Sequence, residues 1–260
     1  MDDILAKILE QKKKDVEILK SEHGIINLKN RKKEILSFEK EFAQNSRINI
    51  IAEIKPASPS EGIIISNDRI EEIAEIYNET DIAAISVLTD EHFFNGSFNN
   101  LKRVSAVTEK PLLCKDFIID KYQIELAYIN NADAVLLIVE ALNREKLYEL
   151  YNYAVSLGLG VLVEFHYAEN ADIINNSDFR VVGINNRNLK TMEVSIDNSI
   201  KLKKLLSNAG SVISESGIYK KEDLIKLELE GFSGALIGTS ILKSGNIKEK
   251  LNELVYYKEN

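Results

Sequence analysis

Residues 111–120 read Pro-Leu-Leu-Cys-Lys-Asp-Phe-Ile-Ile-Asp, and the rest of the chain is organised around the pattern in this stretch. The apolar run is too short for a helix and begins just after a proline, which predicts a buried strand over 112–118. Because side chains alternate along a strand, Leu113, Lys115 and Phe117 are expected on one face. A lysine on such a face needs a carboxylate or an anionic ligand beside it. Lys115 is therefore either half of a structural ion pair or a functional group.

Similar apolar runs recur along the chain from residue 48, and segments with helical periodicity separate them. The predicted strands cover 48–54, 82–88, 112–118, 134–139, 161–165, 181–184, 212–214 and 235–237. The clearest helical patterns between them cover 70–77, 147–157 and 224–229. Eight strands rich in branched apolar residues, each followed by a helix, predict an α/β fold that closes into a (β/α)₈ TIM barrel.

An open doubly wound sheet is the alternative fold. It usually carries a glycine-rich turn after its first strand, whereas residues 55–60 here read Lys-Pro-Ala-Ser-Pro-Ser and the first glycine of this region is Gly62. The chain also has no Walker loop. No change of composition divides it, so residues 1–260 are expected to form one barrel domain.

Residues 1–46 are predicted to be a helical extension of that domain, placed before the first strand. Leu5, Ile8 and Val16 are among the apolar residues that recur there at helical spacing. Two basic clusters, at 12–14 and at 31–33, are expected to lie on solvated faces.

Composition limits the class of protein further. The chain has a formal net charge of −8 and 45% apolar residues, which suits a globular protein with a large core and argues against a nucleic-acid partner. Cys114 lies in an apolar run and is expected to be a buried, inert thiol. The three histidines are far apart in the sequence, so no metal site is expected. Acidic residues at positions 2 and 3 are unlike a signal peptide, and no apolar run approaches the ~18 residues of a membrane span, so the predicted location is the cytoplasm.

Polar side chains stand at the ends of five predicted strands. They are Glu53 and Lys55, Lys115, Glu164 with His166, Asn185 to Arg187, and Glu215 with Ser216 and Gly217. In a barrel of this kind, chemistry collects at the carboxyl ends of the strands. Burying so many charges for structure alone would cost stability, so the pattern favours a functional site over a set of core ion pairs.

Two glycine-containing loops near the end of the chain predict an anion site. Ser216-Gly217 follows the seventh predicted strand, and Gly238-Thr239 follows the eighth and begins a helical stretch. Loops at these positions bind phosphate in many barrels, and glycine lets the backbone approach an oxyanion closely. Together the two loops predict a phosphorylated substrate.

The set of motifs resembles the indole-3-glycerol phosphate synthase family of tryptophan biosynthesis, in order from about residue 50 to residue 243. The matching motifs are Glu-Ile-Lys at 53–55 with Ser-Pro-Ser at 58–60, Ile-Ser-Val-Leu-Thr-Asp at 85–90, Phe-Asn-Gly-Ser at 94–97, Lys-Asp-Phe-Ile at 115–118, Leu-Leu-Ile at 136–138, Gly-Ile-Asn-Asn-Arg-Asn-Leu at 183–189 and Ser-Glu-Ser-Gly-Ile at 214–218. Phe165 stands where a β-branched residue is common in the family, and Thr239 where serine or glutamate is often found. Neither departure removes a group that the chemistry needs.

The resemblance implies a reaction and a set of roles. The substrate, 1-(2-carboxyphenylamino)-1-deoxy-D-ribulose 5-phosphate, would close its ring and lose carbon dioxide and water, without a metal or cofactor. Lys115 would be the general acid for ring closure, and Lys55 would meet the substrate carboxylate and help the departing hydroxyl. The remaining implied groups are Glu53 and Glu164 as bases or charge stabilisers, Asn185 and Glu215 as orienting groups, Phe94, Phe117, Leu136 and Leu189 around the aromatic ring, Ser58, Ser216, Gly217, Gly238 and Thr239 on the phosphate, and Arg187 near the substrate.

Two other classes of function stay open on the residues alone. A glycoside hydrolase could use two carboxylates among Glu53, Glu164 and Glu215, but it would need neither two strand-borne lysines nor a phosphate site. A non-catalytic barrel that binds a phosphorylated ligand would need fewer ionisable groups of opposite sign. No partner other than the small substrate is expected, and the chain is predicted to act as a monomer.

Overall fold

The computed structural model describes residues 4–43, 47–189, 191–207 and 209–258. Two ends of the predicted extension, residues 1–3 and 44–46, therefore lie outside the described residues. These include the acidic residues at positions 2 and 3.

Eight parallel strands form a closed barrel, which confirms the predicted fold class. In chain order they are β1 Asn49–Ile54, β2 Ala84–Leu88, β3 Leu112–Lys115, β4 Ala134–Ile138, β5 Gly160–Phe165, β6 Val181–Asn185, β7 Ser211–Glu215 and β8 Gly234–Ile237. Each strand pairs with its neighbours in sequence, and β1 pairs with β8 to close the ring. The strands are almost uniformly apolar because both of their faces are covered, one by the barrel interior and one by helices.

Helices connect the strands. They are α1 Ile4–His23, α2 Ile70–Asn78, α3 Glu91–Phe94, α4 Phe98–Val107, α5 Lys121–Ile129, α6 Arg144–Ser156, α7 Ala171–Asn175, α8 Ile196–Lys203, α9 Lys221–Leu229, α10 Thr239–Leu242 and α11 Ile247–Val255. A short hairpin, Ala57–Ser58 with Gly62–Ile63, follows β1. The side chain of Asp120 accepts a hydrogen bond from the backbone of Tyr122 and caps the start of α5.

The strand predicted over 112–118 is shorter than expected, since β3 ends at Lys115. Asp116 turns the chain out of the sheet because its carboxylate accepts hydrogen bonds from the Phe117 amide at 2.7 Å and from the Thr89 hydroxyl at 2.9 Å. Phe117 nevertheless packs with Leu113 against the interior of the barrel, as the alternation of side chains predicts. The chain therefore leaves the sheet directly after the lysine.

Among the described residues of the predicted helical extension, 4–43, α1 is the one α-helix. Residues 24–43 contain two short 3₁₀ turns, Leu28–Asn30 and Glu39–Phe42, and are otherwise non-helical. This segment closes the amino-terminal end of the barrel with Phe38 and Phe42, whose ring centroids are 5.1 Å apart. The strand starts opposite the rings are glycines: a Cβ on Gly160 would lie 3.1 Å from Phe38, and one on Gly234 would lie 3.0 Å from Phe42. Small residues at the strand starts thus make room for an aromatic plug.

The expectation that both basic clusters face solvent is wrong for Lys12. Its side chain is 5% exposed, and its Nζ lies 2.5 Å from Asp90 Oδ2 and 2.7 Å from Asp116 Oδ1. Burial lowers the pKa of Lys12, but the charges of Asp116 and Asp90 outweigh burial and raise it above its ordinary value. Lys12 thus attaches α1 to the loops that follow β2 and β3.

Arg31 is the second exception to that expectation. Its guanidinium lies 3.0 Å from Asp133, with both side chains nearly buried, and it donates to the carbonyls of Tyr128 and Ala132. The same segment that closes the barrel is therefore fastened to the start of β4. Periodicity could not reveal these contacts, because their partners lie about a hundred positions away in sequence.

Candidate active site

A cluster of charged side chains lies at the carboxyl end of the barrel, with Lys115 at its centre. The Lys115 Nζ is 2.6 Å from Glu215 Oε2, 3.7 Å from Glu53 Oε1 and 3.7 Å from Glu164 Oε2. These side chains come from four different strands that point into the same interior. Burial lowers the pKa of Lys115, but the charges of Glu215, Glu164 and Glu53 raise it above its ordinary value, so the amine stays protonated.

Lys55 and Glu53 form the second ion pair of the cluster. The Lys55 Nζ lies 2.7 Å from Glu53 Oε2, and Lys55 is the more exposed of the two side chains, at 17%. Burial raises the pKa of Glu53, but Lys55 and Lys115 together hold it below its ordinary value. Glu53 is therefore an ionised carboxylate between two ammonium groups.

Glu164 and Glu215 are neighbouring carboxyl groups with different proton states. Burial and the charge of Glu164 raise the pKa of Glu215 to about 8. Burial also acts to raise the pKa of Glu164, but Lys115 and His166 hold it below its ordinary value. Glu215 therefore binds a proton more readily than Glu164, because two like charges at this depth repel each other. Gly183 makes room for the pair, since a Cβ there would lie 2.2 Å from Glu215 Oε1.

Glu215→Gln is expected to change the pH dependence of stability. The pKa of Glu215 is raised in the folded state, from 4.5 to about 8, so its contribution to folding is complete below pH 4.5 and is lost as the pH rises to about 8. Glutamine does not titrate, so the variant should gain stability relative to the parent chain as the pH rises through this window. Denaturant unfolding at several pH values between 4.5 and 8 measures the difference. The exposed Glu222→Gln on α9 is the matched control, and a Glu215→Gln difference that stays constant with pH would contradict the raised pKa.

A cavity of about 170 Å³ opens above the charged cluster, and every predicted site residue except Glu215 lines it. Glu215 is fully buried behind Lys115. The apolar side of the cavity contains the four side chains predicted around the aromatic ring, namely Phe94, Phe117, Leu136 and Leu189. The Phe94 and Phe117 rings lie 6.1 Å apart. The first turns of α1 complete this side with Ile4, Leu5 and Ile8, which the sequence did not single out.

The lining of the cavity also contains the residues predicted to hold the phosphate, together with Arg187, which was predicted near the substrate. The predicted phosphate residues are Ser58, Ser216, Gly217, Gly238 and Thr239. Ser216 and Gly217 both have positive φ values, 68° and 75°. The Asn186 side chain donates to the Ser216 carbonyl at 2.9 Å, which holds the serine in a conformation that is unusual for a residue with a Cβ. This loop and the start of α10 both line the cavity.

The Asn185 side chain contacts both Glu164 and the loop that carries Arg187. Its amide donates to Glu164 Oε1 at 3.1 Å, and its carbonyl oxygen accepts from the Arg187 backbone at 2.9 Å. It therefore orients the carboxylate of Glu164 and the start of the loop that carries Arg187.

Sequence reasoning named His166 among the polar strand ends but gave it no role, and it did not place Lys12 or Glu140 near the site. His166 lines the cavity and lies between Glu164 and Glu140, and Lys12 is paired with two aspartates. His166 and Glu140 stand directly after the strands predicted over 161–165 and 134–139, which was a usable signal. Lys12 carries none, because only the fold brings it close to its partners.

The structure also bears on the cysteine, on metal sites and on membrane helices. Cys114 is fully buried, and burial raises the pKa of its thiol to about 12, which confirms an inert cysteine. Among residues 4–43, 47–189, 191–207 and 209–258, no cluster of three or more His, Cys, Asp or Glu side chains has the arrangement of a metal site. Within the same ranges, none of the helices has the length and apolar character needed to cross a bilayer.

The fold and the site define the class of the protein. Two ammonium groups and a set of buried carboxyl groups form the floor of an apolar cavity at the carboxyl end of a (β/α)₈ barrel, beside loops suited to an oxyanion. Such a site belongs to an enzyme that uses acid–base chemistry on a small phosphorylated molecule.

Comparison with known proteins gives the particular family. The family model described as indole-3-glycerol phosphate synthase matches residues 5–254. The indole-3-glycerol phosphate synthase of Bacillus mycoides (strain KBAB4) is 43% identical over 248 residues, which cover 95% of this chain and 96% of that protein. The enzyme of the same name from Bacillus thuringiensis subsp. konkukian is 42% identical with the same coverage. The chain belongs to the indole-3-glycerol phosphate synthase family.

Solved structures support the fold alone. The tryptophan synthase α2β2 complex from Pyrococcus furiosus contains a chain with a TM-score of 0.59 and 16% identity, matched over 82% of this chain and 99% of that one. A mutant α-subunit of the same synthase gives a TM-score of 0.60 with the same identity and coverage.

Family membership confirms the predicted function. The enzyme is a lyase of tryptophan biosynthesis that closes the ring of its substrate with loss of carbon dioxide and water. The glycoside hydrolase and the non-catalytic barrel find no support in these comparisons.

Proposed function

We propose that Lys115 is the general acid of ring closure in indole-3-glycerol phosphate formation. In this step the aromatic carbon that bears the carboxylate attacks the ketose carbonyl, and the carbonyl oxygen takes up a proton. Lys115 suits the role because its ammonium group lines the cavity and is kept protonated by three carboxyl groups. Loss of carbon dioxide then restores the electron pair to the ring.

The Lys55 ammonium group binds the substrate carboxylate and protonates the departing hydroxyl. It is the more exposed ammonium of the cluster, and its pairing with Glu53 at 2.7 Å fixes its position at the cavity wall. Dehydration also needs a base and a negative group beside the developing positive nitrogen. The ionised carboxylates Glu164 and Glu53 fill these two roles.

The remaining residues hold the substrate. The apolar side chains of the cavity pack against the aromatic ring of the substrate and hold it close to the ketose carbonyl. This positioning lowers the entropic part of the activation barrier. The loops after β7 and β8, with Ser58 and Arg187, hold the phosphate. Asn185 and Glu215 orient Glu164 and Lys115, as their contacts at 3.1 Å and 2.6 Å support. The observation that carries the whole assignment is the convergence of Lys115 with Glu53, Glu164 and Glu215 beside one cavity.

Incubation of the purified protein with the carboxyphenylamino-deoxyribulose phosphate, without added metal or cofactor, tests this function. Indole fluorescence should rise with time as the product forms. Absence of an indole product from folded protein that binds the substrate would refute the proposed chemistry.

Lys55→Ala is expected to raise KM and lower kcat together. The variant loses the charge that meets the substrate carboxylate and the proton donor for the departing hydroxyl. It also leaves Glu53 with one ammonium neighbour instead of two. Steady-state kinetics measure both constants. Lys248→Ala on α11, which removes an exposed ion pair with Glu79, is the control and should change neither constant. Unchanged constants in Lys55→Ala would remove Lys55 from the mechanism.

We also propose that the enzyme is a cytoplasmic monomer built as one domain. One chain supplies both ammonium groups and the buried carboxyl groups of the site. The extension is fastened to the barrel by buried ion pairs of Lys12 and Arg31 rather than separated from it. Light scattering of the purified protein should give the mass of one chain, and a mass of two chains would overturn the monomer.

A further inference from the structure

A ring of buried polar side chains lies behind the loop that follows β7. Asn186 stands directly after β6, Ser214 belongs to β7 and Ser199 belongs to α8, and all three are almost fully buried. The Asn186 amide donates to the Ser214 hydroxyl at 3.0 Å, and the Ser199 hydroxyl donates to the Asn186 carbonyl oxygen at 2.7 Å. The two hydroxyls are 2.8 Å apart, which closes the ring. Two strand ends and a helix are therefore joined by one closed set of hydrogen bonds.

The ring lies on the outer side of the strands, away from the charged cluster. Asn185 and Glu215 are partners in the register of β6 and β7, and both side chains reach groups in the barrel interior. Because side chains alternate along a strand, Ser214 points to the opposite side, where it meets α8. Asn186, one position beyond Asn185, also reaches α8. The ring thus supports the site from behind, and none of its three side chains lines the cavity.

The hydrogen bonds leave the Asn186 amide a single orientation. The backbone N–H of Ser199 donates to Asn186 Oδ1 at 2.9 Å, so this atom must be the amide oxygen. The amide nitrogen then offers one N–H to the Ser214 hydroxyl and the other to the Ser216 carbonyl. Rotation of the side chain would break four hydrogen bonds in a site that water does not reach. A buried polar network that is satisfied in this way is rigid.

The second N–H of this amide holds the backbone of Ser216. It donates to the Ser216 carbonyl at 2.9 Å, and Ser216 has a φ of 68°. A left-handed φ is unfavourable for a residue with a Cβ, so this conformation needs a contact that stabilises it. Gly217 follows with a φ of 75°, and a Cβ there would lie 2.6 Å from Val194 Cγ1. The loop is thus bonded by Asn186 and closely packed against Val194.

We propose that Asn186 is a positioning residue that holds the Ser216-Gly217 loop in the shape that binds the substrate phosphate. The inference rests on the proposed phosphate site, to which both loop residues belong, and both line the cavity. Asn186 acts on the loop through one buried N–H, and the hydroxyls of the ring keep the amide from turning. Asn186 therefore controls the affinity for the substrate rather than the rate of its chemistry.

The backbone of Asn186 is held independently of its side chain. Its N–H donates to the Glu215 carbonyl at 2.8 Å, and its own carbonyl accepts from the Ser195 N–H at 3.3 Å. Truncation of the side chain should therefore leave Asn185 beside Glu164. The groups proposed to move protons keep their geometry, which separates an effect on binding from an effect on chemistry.

Asn186→Ala is expected to raise KM by about 5- to 30-fold, the factor that corresponds to the cost of an unsupported left-handed residue, with little change in kcat. The apparent affinity falls because fewer molecules keep the loop in its binding conformation. Competitive inhibition by inorganic phosphate should weaken by a similar factor. Steady-state kinetics with and without added phosphate measure both effects. The control is Asn176→Ala, at an exposed position after α7, which should change neither KM nor the inhibition.

Ser216→Gly supplies a readout that a merely structural role would not move. Glycine adopts a positive φ without a contact to stabilise it. Asn186→Ala should therefore raise KM less in the Ser216→Gly background than in the parent chain. An equal rise of KM in both backgrounds would overturn the proposal, and so would a loss of kcat with KM unchanged.

Ser199→Ala tests the ring if Asn186→Ala does not fold. It removes one hydroxyl and keeps the backbone N–H that donates to Asn186, so KM should rise in the same direction by less. In that case an unchanged KM in Ser199→Ala would overturn the proposal.

Inorganic phosphate separates the two levels of inference. If phosphate does not compete with the substrate in the parent chain, the proposed phosphate site is wrong and the role of Asn186 falls with it. If phosphate competes in the parent chain and inhibits Asn186→Ala equally well, only the role of Asn186 is wrong.

Discussion

Replacing Lys115 with methionine is expected to lower kcat by about 10² to 10⁴-fold, the range that a positioned general acid contributes, with little change in substrate affinity. Methionine retains the length and much of the packing of the lysine stem but cannot donate a proton. The substrate should still bind, because the proposed contacts to its aromatic ring and to its phosphate do not include Lys115. Single-turnover kinetics and equilibrium binding measure the two quantities separately.

The same substitution must be shown to act on chemistry rather than on folding. Removing Lys115 leaves Glu215, Glu164 and Glu53 without the ammonium group they share, so the carboxyl groups will hold protons more tightly. Thermal unfolding and circular dichroism identify the fraction of folded protein, and rates are compared per folded molecule. Lys102→Met, at an exposed position on α4, is the control. Near-normal kcat in folded Lys115→Met would remove Lys115 from the reaction.

Lys12→Met is expected to reduce the free energy of unfolding by about 3–5 kcal/mol, the usual cost of leaving buried charges without their partner. Both aspartates of the cluster are almost fully buried, at 0% and 3% side-chain exposure, so neither can be solvated without local rearrangement. Asp90 also caps α3, which carries Phe94, and Asp116 adjoins Lys115. Substrate affinity should therefore fall together with stability.

Urea unfolding at pH 7 measures this change, and the neighbouring Lys13→Met supplies a control on the same helix at an exposed position. Lys13→Met should unfold at the same urea concentration as the parent chain. Equal stability of the two variants would show that the Lys12 cluster contributes no net free energy. In that case the attachment of α1 would have to come from its apolar residues alone.

The strands could be predicted because each is a short apolar run, and five of the predicted strands carry polar residues at or beside their ends. Where the barrel is built from such local patterns, for example at β5 with Glu164 near its end, sequence reasoning located both the strand and the side chain proposed to be functional. It extended β3 beyond Lys115 because residues 116–118 continue the apolar run. The competing factor was the Asp116 carboxylate, which bonds the following amide and turns the chain away.

The parts that could not be predicted depend on partners distant in sequence. Lys12 belongs to a run of three lysines with nothing to distinguish it from its neighbours. Only the docking of α1 against two loops shows that one of the three is buried between aspartates. In the same way, Glu140 stands on a turn with no motif, and its contact with His166 appears only when β4 and β5 lie side by side.

The aromatic plug formed by Phe38 and Phe42 couples the folding of the first residues to the synthesis of the last strands. Phe38 and Phe42 leave the ribosome among the first residues, yet the carbonyl of Phe42 is bonded by Ser211, which is synthesised 169 positions later. The contact between Phe42 and Ser211 can therefore form only after most of the barrel strands have been synthesised. Until then the two phenylalanine side chains are not buried in the barrel. Contacts that span such a distance slow folding and expose apolar surface in the meantime. A chain that stops before β8 lacks Gly234, against which Phe42 packs, so we expect truncated chains to leave this ring exposed and to aggregate more readily than the full chain.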